Sequence, residues 1–173
     1  MHYTSWERGD RDRPILLAED GPRELAVFDT RAEQALVDGH IWELSVTPDQ
    51  GATATLADGR VFRAEGRFRR DKEITVSLDG RSFTLLNENK NDWIIEDGDQ
   101  SKIAQFTGAD QAVRRAIVEF VGEAEDHALS PEEIIALAWF SRLALESRME
   151  QTSNALIFTL VILSVVGVLA FLL

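Results

Sequence analysis

Five Asp-Gly pairs recur at near-even spacing along the first hundred residues: Asp20-Gly21, Asp38-Gly39, Asp58-Gly59, Asp79-Gly80 and Asp97-Gly98, in steps of 18, 20, 21 and 18. Asp-Gly suits a two-residue hairpin turn, where both central residues take positive φ. The flanks read as strands. Ile15-Leu-Leu-Ala and Glu24-Leu-Ala-Val-Phe surround the first pair, His40-Ile-Trp-Glu-Leu-Ser-Val follows the second, and Ala52-Thr-Ala-Thr-Leu-Ala precedes the third. Around the fourth, Ile74, Val76 and Leu78 alternate with Thr75 and Ser77, the period of a half-buried strand. Two strands per unit give about ten antiparallel strands in a meander. The spacing is too loose for a strict repeat, and residues 32–37 also admit a short helix. Closing the sheet into a barrel would remove the exposed edges that so many strands otherwise leave.

Beyond Thr107 the pattern changes. Val113, Ala116, Ile117, Phe120 and Val121 fit helical spacing, while Ala116, Val118 and Phe120 also alternate, so residues 111–122 stay open between helix and strand. Residues 123–127 read as a polar loop. Ser130-Pro131-Glu132-Glu133 then opens a helix: serine caps, proline suits the first helical position, and Glu133 completes a capping box. The next seven residues, Ile134-Ile-Ala-Leu-Ala-Trp-Phe, are apolar on every face. Seven residues do not span a bilayer, so the helix is expected inside protein, with the preceding sheet as its container.

Residues 155–173 contain no charged side chain, and their polar residues are Thr159 and Ser164. Nineteen residues at about 1.5 Å each reach roughly 28 Å, near the hydrocarbon thickness of a bilayer. The expected membrane anchor is formed by Ala155, Leu156, Ile157, Phe158, Leu160, Val161, Ile162, Leu163, Val165, Val166, Gly167, Val168, Leu169 and Phe171. The first ten residues have no apolar stretch of the secretory kind. The expectation is a single-pass, tail-anchored protein of the cell membrane with its N-terminal domain on the cytosolic side. Arg142 and Arg148 precede the span but are offset by Glu146 and Glu150, so the positive-inside rule adds little. The absence of cysteine fits a reducing compartment. The organisation expected is a flexible N-terminus (1–12), a cytosolic β-rich domain (13–150) ending in a buried helix (129–150), and a transmembrane anchor (151–173).

A meander of about ten strands closed around a hydrophobic helix resembles the tubby C-terminal-like fold, which includes the phospholipid scramblases and the LURP-one-related proteins. The stretch that carries the likeness is Trp93-Ile-Ile-Glu-Asp-Gly-Asp-Gln-Ser-Lys-Ile-Ala-Gln-Phe, a strand, an Asp/Gly turn and a second strand, together with the late helix at 129–145. The resemblance covers roughly residues 13–148 and is architectural. The cysteine-rich segment and calcium-site pattern of eukaryotic scramblases are missing, as is the basic phosphoinositide pocket of tubby proteins. Neither scrambling nor phosphoinositide binding carries over residue by residue.

The case for catalysis is thin. There is no cysteine nucleophile, and His2, His40 and His127 lack metal-ligand spacing. No Gly-Lys-Ser/Thr follows a glycine-rich loop, and no Gly-x-Ser-x-Gly elbow occurs. Asp97 and Asp99 lack the terminal glutamate of a calcium loop and read as a turn. Trp42, Trp93 and Trp139 read as core. Trp6 has no evident core to join and, with Arg148, is a candidate partner contact. Arg142 and Glu146 are expected to pair along the helix. The formal charge of −12 argues against nucleic acid as a partner and against broad attraction to anionic lipid. Arg67, Arg69 and Arg70 are a local exception, read more simply as a solvated strand end. The function expected is a non-enzymatic binding or scaffolding module without cofactor or metal, an accessory subunit of a membrane protein complex. A lipid-binding or scramblase-like protein is the alternative.

Overall fold

The structure, a computed structural model, describes residues 1–149 apart from 8, 9, 11, 20, 48, 90, 91 and 108–116. Twelve strands are present among the described residues: β1 (Tyr3–Trp6), β2 (Ile15–Ala18), β3 (Glu24–Asp29), β4 (Gln34–Val37), β5 (His40–Thr47), β6 (Gly51–Thr55), β7 (Val61–Glu65), β8 (Glu73–Leu78), β9 (Arg81–Asn87), β10 (Asp92–Asp97), β11 (Lys102–Thr107) and β12 (Ile117–Phe120). Each pairs antiparallel with its neighbour in sequence, and β1 pairs with β12, so the sheet closes into a barrel with no free edge. A 3-10 helix (Ala124–His127) and the helix α1, residues 131–149, follow the barrel.

The Asp-Gly pairs turn the hairpins much as expected. Val37 pairs with His40 and Leu78 with Arg81, leaving Asp38-Gly39 and Asp79-Gly80 as two-residue loops with positive φ at all four positions. The third pair sits in a longer loop closed by Leu56 N–H donating to the Arg60 carbonyl (2.9 Å). In the fifth, positive φ falls on Gln100, not on Gly98. A Cβ at Gly80 would touch nothing within 4 Å, but its φ of +86° disfavours a branched side chain. Gly80→Val is therefore expected to cost about 1–2 kcal/mol through backbone conformation alone. A denaturant midpoint equal to wild type would overturn the two-residue register.

The meander has two strands more than the ten expected. Residues 1–12 are not a flexible leader throughout: Tyr3–Trp6 is β1, hydrogen-bonded to β2 and β12. Of the segment left open, Ile117–Phe120 is strand β12, while 111–116 lie outside the described residues. The helical alternative at 32–37 gives way to β4, whose Ala35 and Val37 point inward while Gln34 and Leu36 point out. Residues 124–127, expected as loop, make a 3-10 turn capped by Glu123 and Asp126.

The interior explains the helix. Inward-facing positions of the wall include Ala26, Ala35, Ala52, Ala54, Ala64 and Ala104, all buried. Such short side chains leave room for an α-helix, which measures about 10 Å across with its side chains. Every residue from position 133 to 142 is buried; ten consecutive residues cover all faces of a helix. Phe28 of β3 stacks on Trp139 (6.2 Å), and the helix and inner wall form one hydrophobic core. The capping box holds at the start of α1. Ser130 N–H donates to Glu133 Oε2 (2.8 Å), and Glu133 N–H donates to Ser130 Oγ (3.2 Å). The fold is thus mainly β, a closed twelve-stranded antiparallel barrel with one C-terminal helix.

Candidate functional site

In a meander, alternate connections fall at opposite ends of the barrel. The connections β2–β3, β4–β5, β6–β7, β8–β9 and β10–β11, the last four of them holding Asp-Gly pairs, therefore lie at one end, with β1–β2, β3–β4, β5–β6, β7–β8 and β9–β10 at the other. Helix α1 starts at the Asp-Gly end, where Arg81, the first residue of β9, donates to the Ala128 carbonyl (2.9 Å), the His127 carbonyl (3.1 Å) and Glu133 Oε2 (2.9 Å). It therefore points its C-terminus out of the opposite end, and the side chains there form a collar around it.

Two arginines on α1 make the collar. Arg148 donates to the Asp71 carbonyl (2.6 Å) and to Asn87 Oδ1 (3.3 Å), and its guanidinium lies 4.6 Å over the ring of Trp93. Arg142 lies 4.6 Å over the ring of Trp6 and donates to Glu146 Oε1 (2.7 Å). The six-residue step between them turns α1 by about 240°, so the helix is clasped on two separate sides. Planar guanidinium over an aromatic face is a favourable contact, stronger where water is excluded. Burial pulls the pKa of Arg148 below the ordinary arginine value, against the opposing pull of Asp71.

The connection that Arg148 grips is the tight β7–β8 turn. Arg67 N–H donates to Asp71 Oδ2 (2.9 Å) and Arg67 Nε to Asp71 Oδ1 (3.0 Å), while Arg70 N–H donates to the Arg67 carbonyl (2.9 Å). Hydrogen bonds from Arg67 hold the Asp71 carboxyl below its usual pKa, and the same pair raises that of Arg67. Phe68 is completely buried, so it pins the turn to the core, while Arg67, Arg69, Arg70 and Lys72 are exposed. The Asp-Gly end is richer in acids, although Arg23, Arg60 and Arg81 also lie there. Asp38, Asp58, Asp79 and Asp99 occupy its turns, and Glu123, Glu125 and Asp126 follow β12.

No family model, curated protein or solved structure matches this chain.

Trp6, expected as a partner contact, is instead 2% exposed and packs on Phe28 (5.3 Å), so it is a core residue and presents no face to a partner. Its lack of apolar neighbours in sequence hid this, because its core comes from β3 and α1. Arg148, the other candidate contact, is engaged with β7–β8, β9 and β10. Trp42, Trp93 and Trp139 are core as expected. The expected Arg142–Glu146 pair is present, and Asp97 Oδ1 accepts from Asp99 N–H (3.0 Å) and Ser101 N–H (2.9 Å), an Asx turn. His2 and His127, distant in sequence, meet the neighbouring carbonyls of Gly122 and Val121. No group of three or more potential ligands able to hold a metal occurs among the described residues. Among the described residues, the buried Thr4 Oγ1, Trp6 Nε1, Trp93 Nε1 and Ser141 Oγ have no hydrogen-bond partner. The expected anchor, residues 155–171, lies outside the described residues, and among the described residues no helix is long and apolar enough to cross a membrane. Asp71 and Asn87 are the collar residues that sequence reading missed. The adjacent arginine cluster was the one local signal.

Proposed function

We propose that this chain is a single-pass membrane protein whose β-barrel is a non-enzymatic binding or scaffolding module. In this reading, α1 links the barrel to an anchor at residues 151–173. One observation carries it: α1 is helical through residue 149, its C-terminus pointing out of the barrel, and after Glu150 and four polar residues a long uncharged apolar segment follows in sequence. The collar of Arg142 and Arg148 fixes the helix to the wall, so the anchor would set the orientation of the whole barrel and not merely its tether length. A domain held in a fixed attitude suits an accessory subunit, which presents one surface to a membrane partner.

The test is extraction of membranes at alkaline pH, which releases peripheral proteins. The wild-type chain is expected in the membrane pellet. Val161→Arg with Val165→Arg places two charges mid-segment, each costing about 2.5–3.5 kcal/mol at a membrane helix centre, and should move the protein to the supernatant. Recovery of the wild type in the supernatant would end the anchor reading.

Lipid handling is the second reading, favoured by the barrel-and-helix architecture, which is consistent with a tubby-like or scramblase-like barrel. The packed interior argues against an acyl chain inside the wall, since Trp139 and Phe140 already fill it against Phe28. Lipid co-purifying at fixed stoichiometry without a protein partner would favour it.

A further inference from the structure

We propose that the β7–β8 turn, residues 67–72, is a contact for the anionic headgroups of a bilayer. The inference rests on the anchor reading above and adds which surface of the barrel meets the lipid. The turn carries four cations, Arg67, Arg69, Arg70 and Lys72, against one acid, Asp71. The chain as a whole is strongly acidic, so this local surplus runs against its composition. All four cationic side chains are exposed, and the backbone beneath them is rigid, pinned by buried Phe68 and by the Arg67–Asp71 hydrogen bonds.

Position supplies the second argument. The Asp71 carbonyl accepts a 2.6 Å hydrogen bond from Arg148, so the turn abuts α1 two residues before position 150, where the charged residues of the sequence end. A basic group beside the point where a helix enters a bilayer lies within a Debye length of the headgroups, where attraction to anionic lipid is felt. The positive-inside rule counts residues near a span in sequence. Here folding brings cations from some eighty positions upstream to the same place. Asp49 and Glu88 in the neighbouring connections, with Asp10, Asp12 and Glu33 in the β1–β2 and β3–β4 connections, limit the patch to one side of the collar. The acidic Asp-Gly end, at the far side of the barrel, would be held away from the same headgroups. The cationic surplus is thus local to this turn, at the end of the barrel from which the helix emerges.

The experiment is hydrogen exchange on the full chain, reconstituted into nanodiscs of phosphatidylcholine alone or of equal parts phosphatidylcholine and phosphatidylglycerol. Exchange in peptides covering residues 66–73 is expected to slow in the anionic discs. The protection should vanish at ~1 M salt, where the Debye length is about 3 Å, and in Arg69→Ser/Arg70→Ser/Lys72→Ser. These side chains are exposed, and a cooperative thermal melt of the variant confirms that its barrel is intact. Peptides covering the Asp58-Gly59 turn should not respond to lipid. Equal exchange of residues 66–73 in both disc types, with the protein inserted, would overturn the headgroup contact and leave the anchor standing. A chain that fails to enter discs of either composition would overturn both.

Discussion

Ala138→Glu is expected to leave no cooperatively folded barrel. Ala138 is completely buried in the middle of α1, and the residues before and after it are buried on every side of the helix. An ionised carboxylate there would have no partner, and a protonated one would still be desolvated and oversized. Desolvating an unpaired polar group costs several kcal/mol, and overpacking about 1–3 kcal/mol more. Set against a total stability of about 5–15 kcal/mol for a domain, that is enough to unfold it or bring it to the edge. Loss of the near-ultraviolet circular dichroism of the buried tryptophans is the readout. A variant with a sharp melt near the wild-type temperature would mean that the helix is not enclosed.

Gly51→Ala is the second large effect. Gly51 begins β6 with φ of +132°, and a Cβ there would lie 2.0 Å from the carbonyl oxygen of Ala64 on β7. The obstruction is backbone and cannot rotate away. The adjacent pairing of Gly51 with Glu65 would have to open. Strain and the lost pairing together should cost about 3–5 kcal/mol. Gly59 makes a fair comparison, having positive φ but no atom within 4 Å of a built Cβ. Gly59→Ala should lose only about 1–2 kcal/mol. If urea midpoints fall equally for the two variants, the close approach of β6 to β7 is wrong.

What the sequence made legible was local. Asp38-Gly39 and Asp79-Gly80 turn as two-residue hairpins because their geometry depends on two residues and little else. The alternation of Ile74, Val76 and Leu78 survives because one face of β8 is solvent and the other is core. The start of α1 was legible for the same reason, since its cap is made by residues three apart. What escaped notice was non-local. Tyr3-Thr-Ser-Trp carries no apolar alternation, and β1 exists because β2 and β12 hydrogen-bond to it from both sides. Val118 and Phe120 alternate, but across four residues the period does not separate strand from helix. The collar was invisible because its members, Asp71, Asn87, Trp93 and Arg148, come together only through the winding of the barrel. The arginines at 67, 69 and 70 could be seen, but not that they border the end of the helix.

The pairing of β1 with β12 also governs how the molecule can come into being. Tyr3 lies opposite Glu119, so the first strand has no second neighbour until nearly the whole wall has been made. The helix that fills the interior is made later still. Until it arrives, the inward faces lined with Ala52, Ala54 and Ala64 have nothing to pack against. Closure of the ring and its filling are thus joint, late events, dependent on contacts of very long sequence separation, which slow folding. A chain shortened before the helix would keep both strands of the seam but leave the wall unfilled, more a substrate for quality control than a smaller version of the domain.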